Sequence, residues 1–130
     1  MMSTKEFHDD MKFEVAEIFR YRKRNCVIVK AINVHARIAP SGSYHNGYVS
    51  VIRKNNGSTY SHFSHRINAA EIAYSGFLRN LPFFILNQSI WFFGFDTAHF
   101  WNGEHPSSQT FKSVKRKTME LADEMIKKRI

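Results

Sequence analysis

Along most of this chain apolar positions alternate with polar ones, and only the last segment repeats every three to four residues. Lys12-Phe13-Glu14-Val15-Ala16-Glu17-Ile18 places Phe13, Val15 and Ile18 on or near one face and its charges on the other. That period predicts a half-buried strand, with a short helix as the alternative. Arg20 to Asn25 reads as a polar turn, after which Cys26 to Ile32 resumes as a β-branched strand, so the pair forms a meander hairpin. Ala39-Pro40-Ser41-Gly42-Ser43 is a loop, and Gly47 to Ile52 is a third strand. Lys54 to Asn68, with the turn signal Asn55-Asn56-Gly57-Ser58, reads as a long excursion of the kind that carries function more often than structure. Ala70 to Phe77 gives a fourth strand broken at Ser75-Gly76, and Ile85 to Phe95 gives the fifth.

The period changes at the C-terminal end. Phe111, Val114, Thr118, Leu121, Ala122, Met125 and Ile126 recur at helical spacing, and Ser107, Ser108 and Thr110 offer N-caps. The expected architecture is α+β: an antiparallel sheet of about five strands with a C-terminal amphipathic helix packed on one face. Residues 1–10 read as a flexible lead-in and 11–130 as a single domain. A chain of 130 residues suffices to bury roughly two thirds of its unfolded surface.

Ring density changes the picture. Eight of the nineteen residues from Phe83 to Trp101 are aromatic, and the run stops at Asp96, His99 and Asn102. Such a strand must be covered on both faces or leave one open to something flat. Phe93 and Phe95 fall on one face and Phe92 on the other, so a face is left for a ligand or for another subunit.

Charge points to the kind of partner. The net charge is +8, from 19 Lys and Arg against 11 acids, which favours nucleotides, nucleic acids or acidic surfaces. Lys127, Lys128 and Arg129 complement the dipole at the end of the helix, whereas Lys112, Lys115, Arg116 and Lys117 lie in its first half, where the dipole disfavours cations. The single cysteine, Cys26, excludes an internal disulfide, fits a reducing cytosol and reads as a small buried hydrophobe. The N-terminus lacks the apolar core of a signal peptide, and Asn87-Gln88-Ser89 interrupts the most apolar window, so a soluble protein is expected.

Catalytic patterns are weak. His62 and His65 have i, i+3 spacing but no supporting Cys or acid pair, and Tyr74-Ser75-Gly76 is not a nucleophile elbow. No metal or cofactor is expected. Asp96 with His99 could act as an orienting acid and a general base, although Asp at a strand end commonly caps the next turn. Rings, polar groups and cations suit binding better. The candidate ligand-binding set is Phe92, Phe95, Asp96, His99, Asn102, Lys112, Arg116 and Arg37.

Gly47-Tyr48-Val49, then Ala73-Tyr74-Ser75-Gly76, then Trp91-Phe92-Phe93-Gly94-Phe95-Asp96-Thr97-Ala98-His99, closed by an amphipathic helix, resembles a widespread group of small phage and prophage proteins. In that group a G-Y-V strand leads to G-G-x-T-Y-S-G and then to W-x-F-G-F-D-x-A-H. The likeness covers Val27 to the C-terminus; its last motif is specific and its first two are weak. The chain departs from it with Ala70-Glu71 where a double glycine is usual, Thr97 where Cys is common, and Phe100-Trp101-Asn102 where Gly-Asp often follows. The group resembles the first type of Thoeris anti-defence proteins, phage sponges that bind the cyclic ADP-ribose-type signal of host TIR enzymes, some also binding cyclic oligonucleotides. The resemblance implies a homo-oligomer in the host bacterial cytoplasm that sequesters a nucleotide-derived signal without cleaving it. A basic nucleic-acid-binding or anti-CRISPR-type inhibitor is the second reading, and an Asp-His hydrolase the third.

Overall fold

A computed structural model describes residues 10–63, 66–78 and 89–130. Five antiparallel strands form one sheet in the order β1-β2-β3-β5-β4. They are β1 (Lys12–Tyr21), β2 (Arg24–Ile32), β3 (Tyr44–Ser50), β4 (Tyr74–Phe77) and β5 (Trp91–Phe95). A short helix α1 (Phe100–Glu104) follows β5, and α2 (Phe111–Lys127) packs across β3, β2 and β1. This is the α+β architecture expected from the alternation, with β5 inserted between β3 and β4.

The sheet is buried on both faces because successive side chains alternate. Towards α2 point Cys26, Ile28, Val49, Phe93 and Phe95, which pack with Val114, Leu121, Ala122 and Met125 of the helix. On the other face Val27, Val29, Tyr48 and Phe92 form a second cluster with Leu78, against which Phe13, Tyr74 and Ile90 lie. Every helix position that packs here was legible from its spacing, and Thr110 supplies the N-cap by accepting from the Ser113 N–H at 3.3 Å.

Strand β1 is longer than its alternation suggested. A register shift between Val15 and Glu17 puts Phe13, Val15 and Ile18 opposite Ala31, Val29 and Val27, hence on one face, as the sequence pattern had it. The bulge leaves Glu17, Phe19 and Tyr21 on the helix side. There Glu17 meets Lys115 at 2.6 Å and the Tyr21 hydroxyl donates to Asp123 at 3.0 Å.

Several expectations change: β3 runs over Tyr44–Ser50 where Gly47 to Ile52 was expected, and β4 only over Tyr74–Phe77 where Ala70 to Phe77 was expected. The hairpin turn is only Arg22-Lys23, both at positive φ (50° and 68°), so the strands run through most of the segment read as turn. Gly76 sits within β4, paired with Phe92, and does not break it. Among its described residues the Lys54–Asn68 excursion is partly structured, with 3-10 turns at Arg53–Asn55 and Tyr60–His62, and it buries Phe63 and Ile67 in the core, the Phe63 ring centroid 5.8 Å from that of Phe93. Part of its end is fixed by Glu124, which accepts from the Asn68 and Ala69 N–H groups at 2.7 and 3.0 Å. Burial would raise the Glu124 carboxyl, but those two bonds and Lys128 hold it below its ordinary value. Residues 1–9 of the lead-in, His65, and residues 81–88, which include the start of the expected fifth strand, lie outside the described residues.

A two-residue hairpin with positive φ at both positions is a type I′ turn, which prefers Asn-Gly because a Cβ is strained there. Lys23→Gly is therefore expected to raise stability by about 1 kcal/mol. Urea unfolding would show a higher midpoint at unchanged slope; a lower midpoint would mean that the Lys23 side chain contributes more than its backbone strain costs.

Candidate functional site

The end of β5 and the start of α2 converge on α1. Phe95 is held by the cross-strand pair Gly47–Phe95, where its ring fills the space above the glycine beside Thr118. Asp96 then turns the chain, its Oδ1 accepting from the Ala98 N–H at 2.9 Å. The same oxygen lies 3.5 Å from His99 Nε2. His99 is the N-cap of α1, and its N–H donates to Asn102 Oδ1 at 3.3 Å, while Asn102 Nδ2 donates to Ser108 Oγ at 2.9 Å.

Behind this turn lies a buried polar clamp. The Thr97 hydroxyl donates to the His45 carbonyl at 2.7 Å. Gln109 Nε2 donates to the carbonyls of Thr97 and Ile38 at 2.8 and 2.9 Å. His45 Nδ1 lies 2.8 Å from the Gln109 carbonyl, and burial lowers the pKa of that imidazole, so it donates from its neutral form. The clamp ties β3, the Asp96–Asn102 turn and the entry to α2 into one unit.

Phe95, Asp96, His99 and Asn102 line one cleft of 220 Å³, together with Trp101, Lys117 and Glu71. An adjoining cleft of 580 Å³ shares Trp101, Asn102 and Lys117 and adds Arg116, Ser107, Ser108, Ser113 and Glu120. Five of the eight candidate residues are thus brought together. The other three are not. Lys112 is exposed and lines neither cleft. Arg37 is exposed in the loop whose backbone abuts α1, its carbonyl 3.2 Å from where a Cβ on Gly103 would sit. Phe92 is fully buried on the opposite face among Val27, Val29, Tyr48 and Leu78, so its ring has no face open to a ligand.

Several lining residues escaped the candidate set, Trp101 and Lys117 chief among them. Trp101 is 58% exposed and stacks on His105 at 4.2 Å, and Lys117 reaches over the Phe95 ring at 5.5 Å. Strand alternation drew attention to Phe92, within the fifth strand, and passed over Trp101, which lies beyond the end of that strand at Phe95. Lys117 adjoins Arg116 and precedes the buried Thr118, a helical position that flanks the packed stripe. Among the described residues no group of three His, Cys, Asp or Glu side chains is placed to hold a metal ion. No helix among them is long and apolar enough to cross a membrane.

No family model matches the chain, and no curated protein or solved structure shows significant similarity to it.

Beneath the helix, Cys26 is fully buried, and that burial pushes its thiol from 9.0 to about 12, with Arg24 opposing the shift. Burial, helped by Asp96, likewise raises Tyr44 to about 12. A raised folded-state pKa favours the protonated group, so this stability is complete below the unfolded value and lost as pH rises through the folded one. Unfolding free energy is therefore expected to fall as pH climbs from 9 towards 12. Urea midpoints taken across that window would register it, and a flat profile would contradict the burial argument. At pH 8 the folded protein should also resist thiol reagents that modify it rapidly once unfolded.

Proposed function

We propose that this protein binds a nucleotide-derived signalling molecule of the cyclic ADP-ribose type and retains it intact, as a phage counter-defence sponge. The observation that carries the reading is one surface on which the exposed Trp101 ring, the polar groups of Asn102, Ser107 and Ser108, and the cations Lys117 and Arg116 meet. A ring suits a base, hydroxyls and an amide suit a ribose, and cations suit phosphate. The resemblance of Trp91–His99 to the phage group supplies the class of ligand. Retention is favoured over turnover by what Asp96 and His99 already do: they hold each other, a backbone N–H and the start of α1. Homo-oligomerisation belongs to the same proposal, with Phe100, 82% exposed, and Val15 and Ile18 on the edge strand as apolar surface for a second copy.

A second reading rests on a separate feature. Lys23, Arg24 and Arg53 line a 480 Å³ cleft at the β1–β2 hairpin, a basic surface suited to a nucleic-acid backbone. Salt separates the two readings. Duplex binding that collapses as ionic strength rises, with no retained small molecule, would favour the nucleic-acid inhibitor.

Incubation with cyclic ADP-ribose isomers, followed by denaturation and chromatography, is expected to return unchanged ligand; a hydrolysed product would favour the Asp-His hydrolase. Trp101→Ala and Lys117→Ala should each weaken retention, the lost ring alone costing about 1–3 kcal/mol, with the melting temperature little changed. Phe92→Ala should instead cost about 3–5 kcal/mol of stability, because it empties a buried ring site. If Trp101→Ala holds ligand like the parent, the site lies elsewhere.

A further inference from the structure

On the face of the sheet away from α2, a 290 Å³ pocket opens between Phe13, Tyr44, Tyr48 and Tyr74, with Asn46 and Asp96 in its wall. Strand alternation builds it: Tyr44, Asn46 and Tyr48 are every second residue of β3, and Phe13 and Tyr74 approach from β1 and β4. Tyr48 and Tyr74 meet nearly at right angles, 89° with ring centroids 5.7 Å apart, so they form a corner and not a parallel slot. Tyr44 and Tyr48 are both raised by burial, which keeps their rings as neutral phenols.

Asn46 makes the pocket unusual. It is only 7% exposed, and its Oδ1 is buried without a hydrogen-bond partner. A buried acceptor left unmet is destabilising, and a site that keeps one is built for a donor that arrives from outside. The charged group of the wall, the Asp96 carboxylate, also accepts. No Lys or Arg lines this pocket, although the chain carries a net charge of +8.

We propose that this pocket binds the protonated amine of an alkylammonium ligand. The ammonium donates N–H to Asn46 Oδ1, Asp96 balances its charge, and the tyrosine and phenylalanine rings present their faces to the cation and its methylenes. The corner geometry favours a compact cation over a flat heterocycle, which needs parallel walls. An N–H donor is required, because a quaternary ammonium would leave Asn46 unmet. This inference stands apart from the nucleotide reading, which uses the α1 side of Asp96.

Titration of the protein with n-butylammonium at neutral pH, followed by NMR chemical shifts, is the test. Saturable shifts are expected, with N,N,N-trimethylbutylammonium about tenfold weaker for want of the hydrogen bond to Asn46, and butanol ineffective. Asn46→Leu should weaken butylammonium about tenfold without lowering the melting temperature, since it deletes an orphaned acceptor. A purely structural Asn46 would show the reverse. Tyr74→Leu, at a half-buried wall position, should also weaken binding and serves if Asn46→Leu does not fold. Equal affinity for the trimethylated cation, preferential binding of free adenine, or unchanged binding in the variants would each overturn the proposal.

Discussion

Helix α2 and the sheet meet at Gly47 with no room for a side chain, and the placement of the candidate site follows from it. A Cβ there would collide with Thr118 Oγ1 and stand 2.7 Å from the Phe95 ring. The bare backbone lets α2 settle onto β3 and lets Phe95 lie across the vacant position. The neighbouring pair repeats the device on the other face, where the Tyr48 ring fills the space a Cβ on Gly94 would need. Each strand thus supplies one glycine and one ring, and the two rings pack on opposite faces of the sheet. Glycine in a strand interior normally weakens it, and here cross-strand aromatic cover offsets that cost.

This packing fixes both sides of the cleft at once. Thr118 touches the Gly47 position, so Lys117, one residue earlier, is carried to the edge of Phe95. Asp96 and Thr97 leave the sheet directly after that ring. Thr97 then anchors the turn through its hydroxyl on His45, a bond that a thiol, the weaker donor, would make poorly. Gln109 extends the same frame to the first turn of α2, and its Nε2 serves two otherwise open carbonyls.

Legibility in the sequence followed the range of the interactions. Helix α2 and the pairing of β1 with β2 depend on local periodicity, and the spacing of Val114, Thr118, Leu121 and Met125 revealed the packed stripe. The start of β3 did not show itself, because Tyr44-His45-Asn46 looks polar until each side chain is given a distant partner or the aromatic pocket. The polar stretch Arg20 to Asn25 marked the turn but not its confinement to Arg22-Lys23, whose positive φ goes with two long strands pairing around it. In the site, Asp96, His99 and Asn102 were found because they lie close in sequence. Lys117 and Ser107 join them only through the α2 approach, which no local pattern records.

The aromatic run thus divides into two populations with different work. Phe92, Phe93 and Phe95 are spent on the two cores, all at most 3% exposed, and they hold β5 in the middle of the sheet. Phe100 and Trp101, beyond the Asp96 turn, are largely exposed and belong to a helix of five residues. So short a helix is stable only through its tertiary ties, here the Asn102–Ser108 bond and the contact of Gly103 with the Arg37–Ile38 backbone. A ligand that stacks on Trp101 and reaches Lys117 would cross-link α1 to α2 and add to those ties. Binding and local order would then strengthen each other, as slow release requires.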